Sequence, residues 1–296
     1  MSNRTLEDIF VTEGVPQFTF VQPPNYNEIL IDIRRPGKPV IIEGQSGTGK
    51  TSTAKKIIEQ LLGNVEIVYW SARKATDVEN IVKLTGNPKP GYYIIDDFHR
   101  LSKELQGRIG NLAKIAAEEG IDTQLPKLII IGINEIGSGL IHLVPDIAKR
   151  CGIHKISAGD SQDILNLIEK GCAELGIVIE NKEGVYGETK GDYWLSQVFC
   201  QTICSINGIL ETQAEKKTLK YEIKDVRGRA IKRLKAGYYE PVKEFCRGRR
   251  FRKSNDPYFK LLKLIGQQDS SIVDLNRLAS QYEDIKGSIN NIKERR

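Results

Sequence analysis

The chain has 296 residues, of which 40% are apolar and 28% are charged, and its formal net charge is +6. This composition is typical of a soluble globular protein and excludes an intrinsically disordered chain, and no apolar run approaches the roughly 18 residues that a membrane-spanning helix needs. The length favours two or three structural units. The start, MSNRTLEDIF, lacks the basic and long apolar regions of a secretory signal, so we expect a cytoplasmic protein with no membrane partner.

Five short β-rich runs alternate with helical patterns in the first half of the chain. The strands are predicted at Pro39–Glu43, Val65–Ser71, Tyr92–Asp96, Lys127–Ile133 and Ile153–Ile156. Strands that alternate with helices predict an α/β fold, in which a parallel sheet is covered on both faces and its crossovers are right-handed. The first domain is predicted to cover residues 1–157.

Helical patterns dominate the rest of the chain. Apolar residues recur at helical spacing in residues 161–177, and further helices are predicted at Tyr193–Ser205 and at about Tyr221–Lys235. These patterns predict a helical lid domain over residues 158–226. Three short helical patterns after Pro257 are typical of a helix-turn-helix or winged-helix core. Residues 227–296 are therefore predicted to form a winged-helix-like segment, whose wing is either absent or lost by truncation.

Basic residues are concentrated in the C-terminal quarter. Residues 227–296 contain 18 Lys and Arg and 8 Asp and Glu, whereas residues 1–226 contain 26 and 30. The densest part, Arg227–Lys253, has 11 basic and 2 acidic residues with four aromatic residues between them. Such a segment indicates a nucleic-acid partner. The alternative interpretation is a solvated charged face.

The stretch GQSGTGKTS fits the phosphate-binding pattern G-x-x-x-x-G-K-[ST]. A predicted strand precedes the stretch and a helical pattern follows it, which is the context that the motif requires. Lys50 would neutralise the β and γ phosphates, and the Thr51 hydroxyl would be a ligand of Mg²⁺. The residues predicted to bind the nucleotide are Gly44, Gln45, Ser46, Gly47, Thr48, Gly49, Lys50, Thr51 and Ser52.

Two adjacent aspartates end the strand that is predicted at Tyr92–Asp96. Asp96 lies 46 positions after Lys50, a separation typical of the second acidic motif of P-loop ATPases, whose carboxylate holds Mg²⁺ through its hydration shell. Because successive side chains alternate along a strand, Asp97 is expected to point differently and to act as the base that activates water. His99 could polarise a water, and its alternative interpretation is a packing residue.

The runs GQSGTGKTS, YYIIDDFHR and KLIIIGINE resemble the motifs of the AAA+ ATPases and of their STAND relatives, within the ASCE group of P-loop ATPases. Over roughly residues 18 to 210, the resemblance implies the strand order 5-1-4-3-2, a helical lid, ATP and Mg²⁺ as cofactors, and a homo-oligomer. It implies that Asn134 senses the γ-phosphate and that Arg150 reaches the nucleotide of a neighbouring subunit. An ordinary surface arginine is the alternative for Arg150. The segment Phe18–Tyr26 is implied to line the adenine pocket, through Phe20, Val21 or Tyr26.

Two departures from the AAA+ pattern bear on function. Asp97 stands where AAA+ proteins usually carry glutamate, and IIDDFH is closer to STAND-type regulators; the shorter base indicates slow, switch-like hydrolysis. Tyr193 and Trp194 occupy the places where a lid arginine is expected.

Two functions stay open, with a P-loop kinase or metabolic NTPase as a third. One is an oligomeric ATP-driven switch that binds nucleic acid through Arg227–Lys253, and the other is a STAND-type signalling ATPase that recruits a protein effector.

Overall fold

The structure is a computed structural model that describes residues 3–62, 67–120, 124–133, 136–247, 257–268 and 273–293. The chain separates into two compact units, Met1–Lys220 and Tyr221–Arg296. Within the described ranges, no helix has both the length and the apolar character needed to cross a bilayer.

A five-stranded parallel sheet forms the centre of the first unit. The strands are β1 (Val40–Glu43), β2 (Ile67–Ser71), β3 (Gly91–Asp96), β4 (Pro126–Gly132) and β5 (Gly152–Lys155). They lie in the order β2-β3-β4-β1-β5, with every neighbouring pair parallel. The α/β fold and the predicted strand order are therefore confirmed. Strand limits differ from the prediction by no more than one residue, except that Val65 and Glu66 lie outside the described residues.

Helices cover both faces of this sheet. They are α2 (Tyr26–Arg34), α3 (Lys50–Leu62), α4 (Ala75–Gly86), α5 (Lys103–Glu119) and α6 (Ile136–Leu143), whereas α1 (Leu6–Ile9) packs against two helices that follow the sheet, Ser161–Leu175 and Tyr193–Ile206. Side chains alternate along β1, so Ile41 packs in the core beneath α4, α5 and α6, whereas Ile42 packs in the core beneath α2 and α3. Both side chains are fully buried, and burial of one such side chain stabilises the fold by about 1.5–3 kcal/mol.

The lid follows β5 and is mainly helical. It contains α7 (Ser161–Leu175), β6 (Ile177–Ile179), α8 (Lys182–Thr189), α9 (Tyr193–Ile206) and β7 (Lys217–Leu219). Asp160 caps α7 by accepting a hydrogen bond from the backbone N–H of Asp163 at 2.9 Å. The helices predicted at α7 and α9 are confirmed. The parallel pair β6-β7 was not predicted, because a strand of three residues is too short to show the alternation that identifies strands.

The second unit consists of helices in its described part. They are α10 (Ile223–Arg247), α11 (Pro257–Gly266), α12 (Leu275–Gln281) and α13 (Glu283–Lys293). The prediction that α10 ends near Lys235 is wrong, because apolar residues continue at helical spacing past Gly237. Residues Leu261, Leu264, Leu278, Ile285 and Ile289 form the core of α11, α12 and α13. The turn predicted at Asp269–Ser271 lies outside the described residues, and residues 257–268 and 273–293 contain no strand that could form a wing.

Candidate nucleotide-binding site

The loop between β1 and α3 makes close backbone approaches that require glycine. A Cβ atom at Gly44 would clash with the carbonyl oxygen of Ile156. Gly47 has a φ of +81°, and a Cβ atom there would lie 2.5 Å from both carboxylate oxygens of Asp192, at the start of α9. Only glycine is free of both the backbone strain and the clash. This loop therefore approaches the residue after β5 on one side and the start of α9 on the other.

Lys50 is the first residue of α3, where the helix N-terminus favours anions. Its ammonium group donates a hydrogen bond to the carbonyl oxygen of Gln45, and the Thr48 hydroxyl donates to the same oxygen at 2.9 Å. Burial lowers the pKa of Lys50, although the charges of Asp96 and Asp97 act in the opposite direction. A partly desolvated cation therefore lies at the base of the loop.

Asp96 and Thr51, the two predicted metal ligands, are in direct contact. The Thr51 hydroxyl donates to Asp96 Oδ2 at 2.7 Å, and the Tyr69 hydroxyl donates to the same oxygen at 2.8 Å. Mg²⁺ in nucleotide sites is held by one or two protein oxygens together with phosphate oxygens and water. The hydroxyl of Thr51 and the carboxylate of Asp96 fit this requirement. No motif in the sequence marks Tyr69, whose pKa is raised by burial and by the charge of Asp96.

Asp97 leaves the strand in a left-handed conformation, with φ of +56°. Its carboxylate direction is therefore set by this turn, and not by the predicted strand alternation. The guanidinium of Arg73 contacts both carboxylate oxygens at 2.8 Å, and the Ser71 hydroxyl donates to Oδ2 at 3.0 Å. Burial alone would raise the pKa of Asp97, but these hydrogen bonds outweigh it and lower the pKa. Arg73 thus weakens the predicted base.

Of the other three predicted residues, His99 lies in the cavity beside Asp97, whereas Arg150 lies away from it. The buried Nδ1 of His99 has no partner among the described residues. Burial lowers its pKa, which favours a neutral imidazole. Asn134 lies outside the described residues. Arg150 contacts the Glu118 carboxylate at 3.0 Å and donates to the Asp146 carbonyl oxygen at 2.9 Å, away from this cavity.

A cavity of about 540 Å³ extends from the phosphate-binding loop to the lid. The segment expected to line it contributes Phe20, Val21 and Pro23. Tyr26 does not line the cavity; its ring is buried against the sheet and its hydroxyl donates to Gln60 at 2.9 Å. The lid contributes Leu167, Tyr193, Trp194 and Gln197. Among the described residues, Arg73 is the one arginine that lines the cavity, and it does not belong to the lid. At the places where a lid arginine was expected, the lid contributes the aromatic rings of Tyr193 and Trp194.

Comparison with known proteins found similarity in structure only. No protein-family model matches the chain, and no curated protein matches its sequence. The Orc1 protein of Aeropyrum pernix, solved in complex with DNA, is 14% identical, with a TM-score of 0.56 over 96% of this chain and 87% of that chain. A Walker-type ATPase of Pyrococcus abyssi is 12% identical, with a TM-score of 0.56 over 94% of this chain and 93% of that chain.

A RuvB mutant of Thermotoga maritima is 17% identical, with a TM-score of 0.53 over 88% of this chain and 82% of that chain. Identities this low show a shared fold and do not extend to the residues of a site. The similarity includes the sheet order β2-β3-β4-β1-β5 and the helical region that follows it. The chain therefore has the fold of the AAA+ P-loop ATPases.

Proposed function

We propose that the chain binds ATP with Mg²⁺, hydrolyses it slowly, and acts as a nucleotide-dependent switch. The observation that carries this proposal is the contact of Thr51 with Asp96 at the end of the phosphate-binding loop, with Asp97 next in the chain. A metal-binding pair and a second carboxylate at this point are what phosphoryl transfer to water requires.

The chemistry assigns a separate task to each side chain. Backbone N–H groups of the loop and the ammonium of Lys50 bind the β and γ phosphates, while Thr51 and Asp96 hold the metal ion. Bound Mg²⁺ would supply positive charge that stabilises the phosphate oxygens in the transition state. Asp97 accepts a proton from the water whose oxygen bonds to the γ-phosphorus, while the bond from that phosphorus to the β–γ bridging oxygen breaks and ADP leaves. Since Arg73 contacts both Asp97 oxygens in this structure and lowers the pKa of Asp97, opening of this ion pair would make Asp97 a stronger base for hydrolysis.

The proposal extends to assembly between subunits. We assign Asn134 to sensing of the γ-phosphate, and Arg150 to the nucleotide of a neighbouring subunit. The Arg150 side chain is 38% exposed, so it could reach a second copy by leaving Glu118. An Arg150→Ala variant should bind ATP as the parent does but lose ATP-dependent assembly, measured by size-exclusion chromatography with light scattering. Equal assembly of both proteins would contradict this role.

Nucleic-acid binding is proposed for the described part of the basic segment. At 100° per residue, Arg229, Lys232 and Lys243 fall within about 60° of one another on α10, and Lys235 lies about 60° further round. Ile231, Tyr238 and Val242 form an adjacent apolar strip that borders Lys235. A continuous row of cations suits a phosphate backbone. Residues 248–253 of the segment lie outside the described residues. The Orc1 structure was solved with DNA, which gives independent support for testing DNA first.

Charge removal tests this assignment. Replacing Arg229, Lys232 and Lys235 by alanine should weaken DNA binding in fluorescence anisotropy and reduce the salt slope by about 2–3. The matched control replaces Lys89, Lys149 and Lys216, three exposed lysines of the first unit, and should leave binding unchanged. Equal effects of the two triple variants, or binding that does not depend on salt, would contradict a specific role for α10.

A STAND-type signalling protein is the second candidate function, and one feature of α10 favours it. The apolar strip carries exposed side chains, with Ile231 57% and Tyr238 56% accessible. Exposed apolar residues at helical spacing suit a protein effector. ATP-dependent assembly without retention of DNA in size-exclusion chromatography would favour this function, whereas retention of DNA would favour the first.

A further inference from the structure

Gln197 lines the cavity, and its side chain carries a buried polar atom that has no hydrogen-bond partner among the described residues. The residue is on α9, its side chain is 3% exposed, and it lines the cavity together with Thr19 and Phe20. Its Oε1 has no hydrogen-bond partner among the described residues. A buried carbonyl oxygen without a partner costs about 1–3 kcal/mol, so an oxygen of this kind in a cavity indicates a ligand that donates a hydrogen bond to it.

A chain of hydrogen bonds fixes the orientation of the Gln197 amide. The Thr19 hydroxyl donates its single proton to the carbonyl oxygen of Ile9 at 3.1 Å. Thr19 Oγ1 can therefore only accept from Gln197, and Nε2 of Gln197 donates to it at 2.7 Å. A turned amide would direct Oε1 at Thr19 and would take the hydroxyl proton away from Ile9. The relay thus leaves an acceptor, and not a donor, for the cavity.

The cavity has a phosphate end and an apolar wall, and Gln197 lines the same cavity. Its phosphate end is the loop around Lys50, and its other wall is formed by Phe20, Val21 and Trp194, which provide apolar and aromatic surface. Trp194 is held in place because its indole N–H donates to the carbonyl oxygen of Thr12 at 2.9 Å. A nucleoside triphosphate bound at the loop would place its base against this wall. Adenine carries a 6-amino donor, whereas guanine carries a 6-oxo acceptor.

We propose that Gln197 selects adenine by accepting a hydrogen bond from the 6-amino group, and that Thr19 positions the Gln197 amide. This inference rests on the proposed function, since it concerns the base of the nucleotide whose phosphates the loop binds. Guanine would place its 6-oxo oxygen against Gln197 Oε1, and the two acceptors would repel each other. Turning the Gln197 amide would remove this repulsion but would break the Thr19–Ile9 hydrogen bond. The site therefore rejects guanine through a side chain of the lid.

The test compares three nucleotides that differ only in the base. Dissociation constants of ATP, GTP and purine riboside triphosphate, which lacks the 6-amino group, are measured by calorimetry with Mg²⁺. The parent should bind ATP roughly tenfold more tightly than purine riboside triphosphate, the worth of one hydrogen bond, and GTP more weakly still. Gln197→Leu should bind ATP and purine riboside triphosphate equally, because the acceptor is gone.

Two further variants separate selection from folding. Thr19→Val keeps the shape of the side chain but frees the amide to turn, so it should reduce the ratio of GTP to ATP dissociation constants severalfold. Gln201→Leu, one helical turn away, removes an amide that bonds the Phe10 carbonyl and does not line the cavity. It should leave every ratio unchanged, whereas a general structural effect would weaken all three nucleotides equally.

The outcomes distinguish the inference from the proposed function. Tight ATP binding by the parent with unchanged base ratios in Gln197→Leu would overturn the inference and leave the proposed function standing. A parent that binds none of the three nucleotides would overturn both. Loss of the ratio in Gln197→Leu, with the ratio kept in Gln201→Leu, is the result that the relay predicts.

Discussion

Opening the Arg73–Asp97 ion pair should accelerate hydrolysis, because the pair occupies the carboxylate that must accept a proton. Arg73→Ala removes two charge-assisted hydrogen bonds, each 2.8 Å long. Such bonds contribute about 1.5–3 kcal/mol when buried. Here the Arg73 side chain is 64% exposed and solvent screens the pair, so we take about 1–1.5 kcal/mol for both together. Since 1.4 kcal/mol is a factor of ten in rate, kcat should rise about five- to tenfold.

The measurement is steady-state phosphate release as a function of pH. Loss of the arginine should raise the pKa of Asp97, since the Arg73 hydrogen bonds lower it in the parent. The carboxylate is the active form, so the acid limb of the rate profile should move to higher pH. Arg100→Ala removes an exposed arginine three residues beyond Asp97 and is the control, which should keep the parent rate and profile. A lower kcat in Arg73→Ala, with KM unchanged, would show that Arg73 stabilises the transition state and would refute the reasoning.

Three further predictions follow from single contacts. Asp97→Asn should bind ATP with parent affinity and lower kcat by roughly 10²–10⁴, and turnover at the parent rate would remove Asp97 as the base. Gly47→Ala should weaken ATP binding at least tenfold in calorimetry, because the new Cβ atom would lie 2.5 Å from the Asp192 carboxylate oxygens. Binding with parent affinity would show that Asp192 can move away from the loop without cost. Lys127→Met should lower the free energy of unfolding by about 2–5 kcal/mol in urea titration, since the buried Lys127 ammonium donates to three carbonyl oxygens; a change under 0.5 kcal/mol would contradict this.

The sheet and the phosphate-binding loop could be predicted because their signals are local. Continuous isoleucine runs such as residues 129–131 identify strands that are buried on both faces, and the glycine pattern before Lys50 identifies the loop without knowledge of its surroundings. Thr51 and Asp96 were both predicted as metal ligands, and they meet because the carboxyl ends of parallel strands lie at one edge of the sheet, although β4 separates β1 from β3.

The contacts that adjust the site could not be predicted, because they join residues that are distant in sequence and carry no motif. Arg73 meets Asp97 only because β2 and β3 are adjacent and because Asp97 adopts a left-handed conformation. The Gln197–Thr19 hydrogen bond spans 178 residues and looks in sequence like two ordinary polar residues. Tyr26 was one of three residues proposed for the adenine pocket by their position in the chain, and its burial against the sheet shows that position alone does not determine side-chain direction.

The length of α10 shows a different limit. Gly237 and Pro241 are residues that usually interrupt helices, yet the structure runs without a break to Arg247. Apolar residues recur at helical spacing on both sides of Gly237, and this pattern outweighs the intrinsic preference of the two residues. The helix therefore ends twelve residues beyond the predicted end near Lys235.

The most direct test of the central claim is calorimetric titration of ATP with Mg²⁺ into the parent and into Lys50→Ala. Circular dichroism of both proteins confirms that they are folded. The account predicts one ATP bound per chain in the parent and no detectable binding in Lys50→Ala, because the ammonium that neutralises the β and γ phosphates is lost. A folded parent that does not bind ATP, or a Lys50→Ala variant that binds it with parent affinity, would contradict the assignment of this loop as the nucleotide site.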